Sequence, residues 1–269
     1  MQYESEMSAS KQASHTTNRS PDHMLVLEKG LAVIECFDGQ GALSVTDVAR
    51  RTGLSRPAAR RCLLTLTTLD YATFDGRLFR LAPRVLKLGF SYLSSTDLPQ
   101  IIQPMLEQLS ATLSESCSAA VLHETDVLYV ARVETKRIIS TNLRVGSRLP
   151  AYCNAMGRVL LASLPEQEAR SVLERTDRVK RTQRTLTEIP DLMAELDRVR
   201  DHDYSVVHGE LESGLLTIAV PIRDSRGNVV AAINVGEHVE RTTPEHLVSE
   251  VLPRMRALQQ QVASLLRGW

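Results

Sequence analysis

Three arginines, Arg56, Arg60 and Arg61, stand close together in the stretch SRPAARRCLLTLTTLDY. A guanidinium is a planar fork of N–H donors, which pairs side by side with the O6 and N7 edge of guanine or with a phosphate. Arg56 and Arg60 lie four residues apart, the spacing that puts two side chains on one face of a helix, with Arg61 beside them. The other chemically able side chains lack companions. Cys153 is accompanied by no serine or histidine motif, and His123, His202, His208, His238 and His246 fall at neither triad nor metal-ligand spacing. The sequence therefore predicts no catalytic residue, no metal ligand, no cofactor and no enzyme.

Formal net charge is zero over the 269 residues, so the molecule as a whole offers no general attraction to polyanions. The charge is unevenly placed. Residues 46–87 hold nine basic and three acidic residues, a net of +6, whereas the segments before and after each come to −3. A basic block between mildly acidic flanks is an electrostatic footprint for phosphate. No apolar run reaches the roughly 18 residues needed to cross a bilayer. The four cysteines show no Cys-x-x-Cys spacing, which suits reduced thiols in a cytoplasmic protein. Residues 1–22 are polar and are expected to be a disordered leader.

The elements that position the arginines follow from periodicity and caps. MLVLEKGLAVIECF places Leu27, Leu31, Ile34 and Phe37 at helical spacing. In LSVTDVARRTG, Ser44 or Thr46 suits an N-cap and Gly53 a stop. Ser55 is suited to cap the next helix, with Pro57 tolerated in its first turn and Ala59, Cys62, Leu63, Leu66 and Leu69 forming an apolar stripe behind the arginines. Two short helices joined by a glycine turn make a helix-turn-helix, whose second helix offers its N-terminal residues to base edges. YATFDGRLFRLAP alternates about Asp75-Gly76, which predicts a two-stranded wing. Ser55, Arg56, Arg60 and Arg61 are thus candidate DNA contacts, with Thr46 and Arg77 as candidate phosphate contacts. For Arg61, an internal ion pair with Asp47 or Asp70 stays open.

The remaining chain mixes helices and strands. A linker helix is expected over 84–98 and a helix from about 99 to 114. A hairpin turns about 124–126, and RIISTNLRVG reads as a further strand. NAMGRVLLASL, PEQEARSVLERT and IPDLMAELDRVRDHDY read as helices, and a long hairpin turns at 224–228. Pro253 should kink or split the last helix. The expected organisation is a DNA-binding domain over 23–83, the linker helix, and an α+β domain over 99–269.

SVTDVARRTGLSRPAARRCLLTLTTLDY, the wing, LPAYCNAMGRVLLASLP and GELESGLLTIAVPIRDSRGNVVAAINVG together resemble the IclR family of bacterial transcriptional regulators, over nearly the whole chain. RLPAYCNAMGRVLLA and GLSRPAARR look most like its branch regulating protocatechuate and 4-hydroxybenzoate breakdown. The resemblance implies an N-terminal winged helix-turn-helix, a linker helix and a C-terminal GAF-like α+β domain that binds a small organic acid. It also implies a homodimer or homotetramer on a palindromic operator in double-stranded DNA, with no membrane partner. The effector expected is an aromatic acid or its ring-cleavage product; the alternative is a small aliphatic acid such as glyoxylate or pyruvate.

For the effector, Asn154 is suited to cap the helix after it and leave backbone N–H groups free as an anion site. The resemblance places Ala155 and Met156 beside that anion, with Met156 able to pack on an aromatic ring. It also sets Thr217, Asn234 and Gly236 along the same pocket. Asn234 and Gly236 depart from the family's small hydroxyl or thiol pattern, which suits a larger ligand. Glu210 or Glu212 is either an acceptor for a ligand hydroxyl or an exposed loop acid, and Arg148 either a carboxylate partner or a surface residue.

Overall fold

The computed structural model describes residues 22–95, 97–135 and 143–266. The expected leader lies outside them apart from Asp22. The chain divides into two compact units at Phe90/Ser91.

The first unit carries α1 (Leu25–Glu35), α2 (Val45–Thr52), α3 (Arg56–Thr68) and a hairpin of β1 (Ala72–Phe74) and β2 (Phe79–Leu81). Local chemistry sets each boundary. Ser44, rather than Thr46, caps α2: its hydroxyl accepts from the Asp47 N–H while the Asp47 carboxylate accepts from the Ser44 N–H, both at 3.2 Å. Gly53 ends α2 at φ +68°, a conformation open to glycine at no steric cost. Ser55 caps α3 through the Ala58 N–H. In the wing, the Asp75 carboxylate accepts from the N–H groups of Arg77 and Leu78, and Gly76 takes φ +95°.

The core of this unit gathers Val33, Phe37, Val48, Ala59, Leu63 and Phe79. Two expected core positions of α1, Leu27 and Leu31, are exposed, as is Leu69 beyond the end of α3. The buried face of α1 is set by Val33 and Phe37, near its C-terminal end, where α3 and the wing close over it. A 3-10 turn, Pro83–Val85, leads into α4 (Leu86–Ser95), which contains the division between the units.

The second unit is built on a six-stranded, wholly antiparallel sheet. Its strands are β3 (Ser116–His123), β4 (Asp126–Val133), β5 (Arg148–Pro150), β6 (Ser205–His208), β7 (Leu215–Arg223) and β8 (Val229–His238), in the order β5-β4-β3-β8-β7-β6. The strand expected over 137–146 falls largely outside the described residues, and the strand observed nearby is β5. The short edge strand β6 was hidden in sequence by the helix before it, α8 (Ile189–His202), which Asp203 closes at φ +57°.

Helix α5 (Asp97–Leu113) and the C-terminal helix α10 (Leu252–Leu265) cover one face of the sheet, where Leu216, Ile218, Val220, Ile233 and Val235 form a core with Ile102, Leu106 and Met255. Ahead of α10, a turn of α9 (Pro244–His246) passes into a π segment, Leu247–Val251. The register loosens just before Pro253, which has no N–H to continue the ladder. The other face carries small or polar residues, among them Ala120, Ala219, Ala232 and Asn234. On it lie α6 (Ala155–Ala162), α7 (Glu166–Arg175) and α8. Every residue of α6 is buried, Arg158 included. The small side chains on the α6 side leave room for a cavity there. Among the described residues no helix is long and apolar enough to cross a membrane.

Candidate functional site

On the first unit, Arg56, Arg60 and Arg61 project from the N-terminal half of α3 and are exposed. None of the three has an ion-pair partner among the described residues. The acids that would have neutralised Arg61 are engaged elsewhere: Asp47 with Ser44 and Arg50, Asp70 with Arg84. The Ser44 hydroxyl and backbone N–H hold the Asp47 carboxyl below the usual carboxylate range, which strengthens its commitment to the cap. Like charges one helical turn apart repel by a few tenths of a kcal/mol, so Arg56 and Arg60 stand where an external polyanion relieves a standing repulsion. Thr46 is exposed in the first turn of α2, and Arg77 is exposed at the wing tip, its backbone held by Asp75 and its side chain turned outward.

In the second unit, a cavity on the α6 side of the sheet brings together Asn154, Glu210, Glu212, Thr217 and Asn234 from the expected residues. It adds Tyr129 from β4 and an apolar rim that includes Leu149, Leu211 and Leu215. These additions had no signal in sequence; they depend on β4 and β7 reaching one face through the intervening β3 and β8. The cavity volume is about 30 Å³, close to one water. The Asn234 Oδ1 is buried and has no hydrogen-bond partner among the described residues, an expense a folded protein rarely tolerates without a function. Burial pushes the Tyr129 phenol up to about 12, with the Arg132 charge and the Asn154 amide pulling the other way. The phenol is therefore a neutral donor and acceptor at physiological pH.

Several expectations are corrected here. Asn154 does cap α6, but its Oδ1 accepts from the N–H groups of both Met156 (2.9 Å) and Gly157 (3.3 Å). Of the N–H groups expected to face an anion, those of Met156 and Gly157 are thus taken by the cap itself. Ala155 and Met156 lie in the core between α6 and the sheet and do not line the cavity. Gly236 shares the sheet face of Asn234 but packs against Thr217 and Leu215 outside the lining. Arg148 is a surface residue paired with Glu124 and Asp126.

Glu210 is not an exposed loop acid. Its carboxylate is buried, accepting from Arg158 Nη2 at 2.6 Å and from the Leu186 N–H at 3.2 Å. Arg158 in turn donates through Nε to the Tyr152 carbonyl, with Glu195 at 3.9 Å from Nη1. One guanidinium thereby ties α6, α8 and the cavity's Glu210 segment together. Cys153 lines the cavity as a thiol that burial pushes up to about 11; its thiolate is scarce and it is a poor nucleophile.

Residues 26–76 match the IclR helix-turn-helix domain, and residues 90–264 match the family described as bacterial transcriptional regulator IclR C-terminal. The chain is 46% identical over 250 residues to the Pca regulon regulatory protein of Pseudomonas putida, covering 92% of this chain and 86% of that protein. It is 37% identical over 254 residues to the p-hydroxybenzoate hydroxylase transcriptional activator of Acinetobacter baylyi, covering 92% and 94%. Among solved structures, an IclR homologue from Microbacterium hydrocarbonoxydans complexed with 4-hydroxybenzoate aligns at TM-score 0.77 and 25% identity, over 91% of this chain and 100% of that one.

Proposed function

The chain belongs to the IclR family of bacterial transcriptional regulators, and from that premise we propose that it controls genes of aromatic-acid breakdown by binding a hydroxybenzoate-type acid in its C-terminal unit. The observation that carries the reading is the cavity bounded by Tyr129, Leu149 and Leu215 around the unpartnered Asn234 Oδ1. Apolar walls suit a ring, and the few polar groups suit its substituents. The relatives named above, one regulating hydroxybenzoate hydroxylase and one complexed with 4-hydroxybenzoate, support the same class. A benzene-sized ligand occupies a cavity of about 150 Å³, so binding requires the leucine rim to open, which slows association.

A thermal-shift titration tests this reading. The panel is 4-hydroxybenzoate, protocatechuate, β-ketoadipate, glyoxylate and pyruvate. A ligand bound only by the native state raises stability by about RT ln(1 + [L]/Kd). A dose-dependent rise with an aromatic acid or β-ketoadipate is expected. A rise with glyoxylate or pyruvate alone would replace the effector and leave the family standing.

For DNA, α3 enters the major groove, with Arg56, Arg60 and Arg61 at base edges or phosphates, the cap residue Ser55 beside them, and Thr46 and Arg77 on the backbone. A cytoplasmic homodimer or homotetramer on a palindromic operator is part of the same proposal, with half-sites one helical turn or a multiple apart. Arg60→Ala is expected to weaken operator binding by about 1–3 kcal/mol while non-specific DNA binding falls much less. Titrations on operator and scrambled duplex at fixed salt read this directly. Equal losses on the two would move Arg60 to the phosphate contacts.

A further inference from the structure

Among the described residues, those lining the cavity include no cation, and nearby Arg158 is already bound to Glu210. The sheet supplies one from just outside that lining, Arg132, held by Ser118. Between β3 and β4 the register shifts: Ala120 faces Tyr129, whereas Ala119 faces Ala131, leaving Val130 as the extra residue of a bulge. A bulge re-aims the side chains that follow it. Regular alternation would place Arg132 on the opposite face from Tyr129. With the extra residue, both lie on the α6 side.

The cross-strand partners say the same. Arg132 stands opposite Ser118, Ser118 opposite Asn234, and Asn234 opposite Ala219, one row across four strands on a single face. Asn234 lines the cavity, and the Arg132 charge acts on the cavity's Tyr129.

The guanidinium is only part-committed. Its side chain is 10% exposed. Nη1 donates to the Ser118 hydroxyl at 2.9 Å. Nη2 stands 3.6 Å from the Glu134 carboxylate, an ion pair too long for a hydrogen bond and on a largely exposed partner. Nε is buried with no hydrogen-bond partner among the described residues. Nε and Nη2 form the side edge of the fork, the edge that takes a carboxylate through two parallel bonds. Two unpartnered buried polar atoms, Arg132 Nε and Asn234 Oδ1, thus belong to one row of one sheet.

We propose that Arg132 is the carboxylate anchor of the effector site, receiving the ligand's carboxylate on its Nε/Nη2 edge. Ser118 fixes the other end of the guanidinium, and the Asn234 amide offers a donor and an acceptor alongside. This rests on the aromatic-acid reading above and adds to it the group that selects an acid over its neutral analogue. Arg132 is therefore a specificity-determining residue.

The test measures binding of 4-hydroxybenzoate and of 4-hydroxybenzamide by calorimetry to the full chain and to Arg132→Gln. The expected result is a loss of about 10–100-fold for the acid, with the amide held within about threefold. Unchanged acid affinity would overturn the assignment, and so would equal loss of both ligands in a variant that melts normally. If Arg132→Gln melts early, Arg132→Lys carries the test, because it keeps the charge and removes the fork. A loss for the acid alone then supports the anchor, and no loss overturns it. Failure of the wild-type chain to bind any aromatic acid would sink the effector reading and the anchor with it; binding that ignores Arg132 sinks only the anchor.

Discussion

Gly157→Ala destabilises the second unit by about 3 kcal/mol or more, an effect expected of a substitution that forces backbone apart. A Cβ at Gly157 would overlap the carbonyl oxygen, Cα and C of Ala151, the last at 2.6 Å. Ala151–Cys153 form a 3-10 turn pressed against the first turn of α6. The contact is with main chain, so no rotamer change relieves it. Asn154 sits between the two segments and lines the cavity. Relief by separation would draw its Oδ1 from the N–H groups of Met156 and Gly157. Calorimetric unfolding of the variant, with effector titration at a temperature where it is still folded, measures both consequences. A melting point within two degrees of wild type would show that the turn has room to move, and the packing argument would fall.

The second large effect concerns Arg158 and Glu210. Removing one partner of a buried ion pair strands the other, at a cost of about 3–5 kcal/mol. Glu210→Ala leaves the Arg158 Nη2 donor without its 2.6 Å acceptor, with Glu195 at 3.9 Å as the nearest remaining carboxylate. Arg158→Met leaves a buried carboxylate with only the Leu186 N–H. The double variant Arg158→Met/Glu210→Leu is expected to recover most of the stability, because two apolar side chains replace two desolvated charges. It should not recover effector binding, since Glu210 lines the cavity and Arg158 holds its segment against α6. Urea unfolding of the four proteins gives the coupling. Single variants that lose less than about 1 kcal/mol would mean that water already reaches this pair.

The first unit was legible because its signals are local. A capping box, a glycine stop, a serine cap before proline and an Asp-Gly turn each act within five residues, and each appears where its chemistry places it. The exposed arginines were legible for the same reason: a solvated helical face is read from spacing alone. Leu27, Leu31 and Leu69 were misplaced because periodicity identifies an apolar stripe without saying how much of it the neighbours cover.

The effector site depended on information the chain order does not carry. Asn154 as a helix cap is a local fact and was visible. That its Oδ1 takes the Met156 and Gly157 N–H groups, two of those an anion would need, is geometry. Glu210 reads in sequence as either a ligand acceptor or a loop acid because its partner, Arg158, lies far away in the chain. Arg132 was silent because its face depends on one extra residue in a strand, and a single-residue slip reverses every side chain beyond it.

By itself the sequence determined the fold class and the helix-turn-helix with its wing and arginine face, because these rest on short-range caps, turns and periodicity, and it gave the family through the resemblance of its motifs. The tertiary structure alone decided which polar groups meet in the cavity. Which face a strand turns inward, and which buried charge finds which partner, are settled by pairing between segments far apart in the chain.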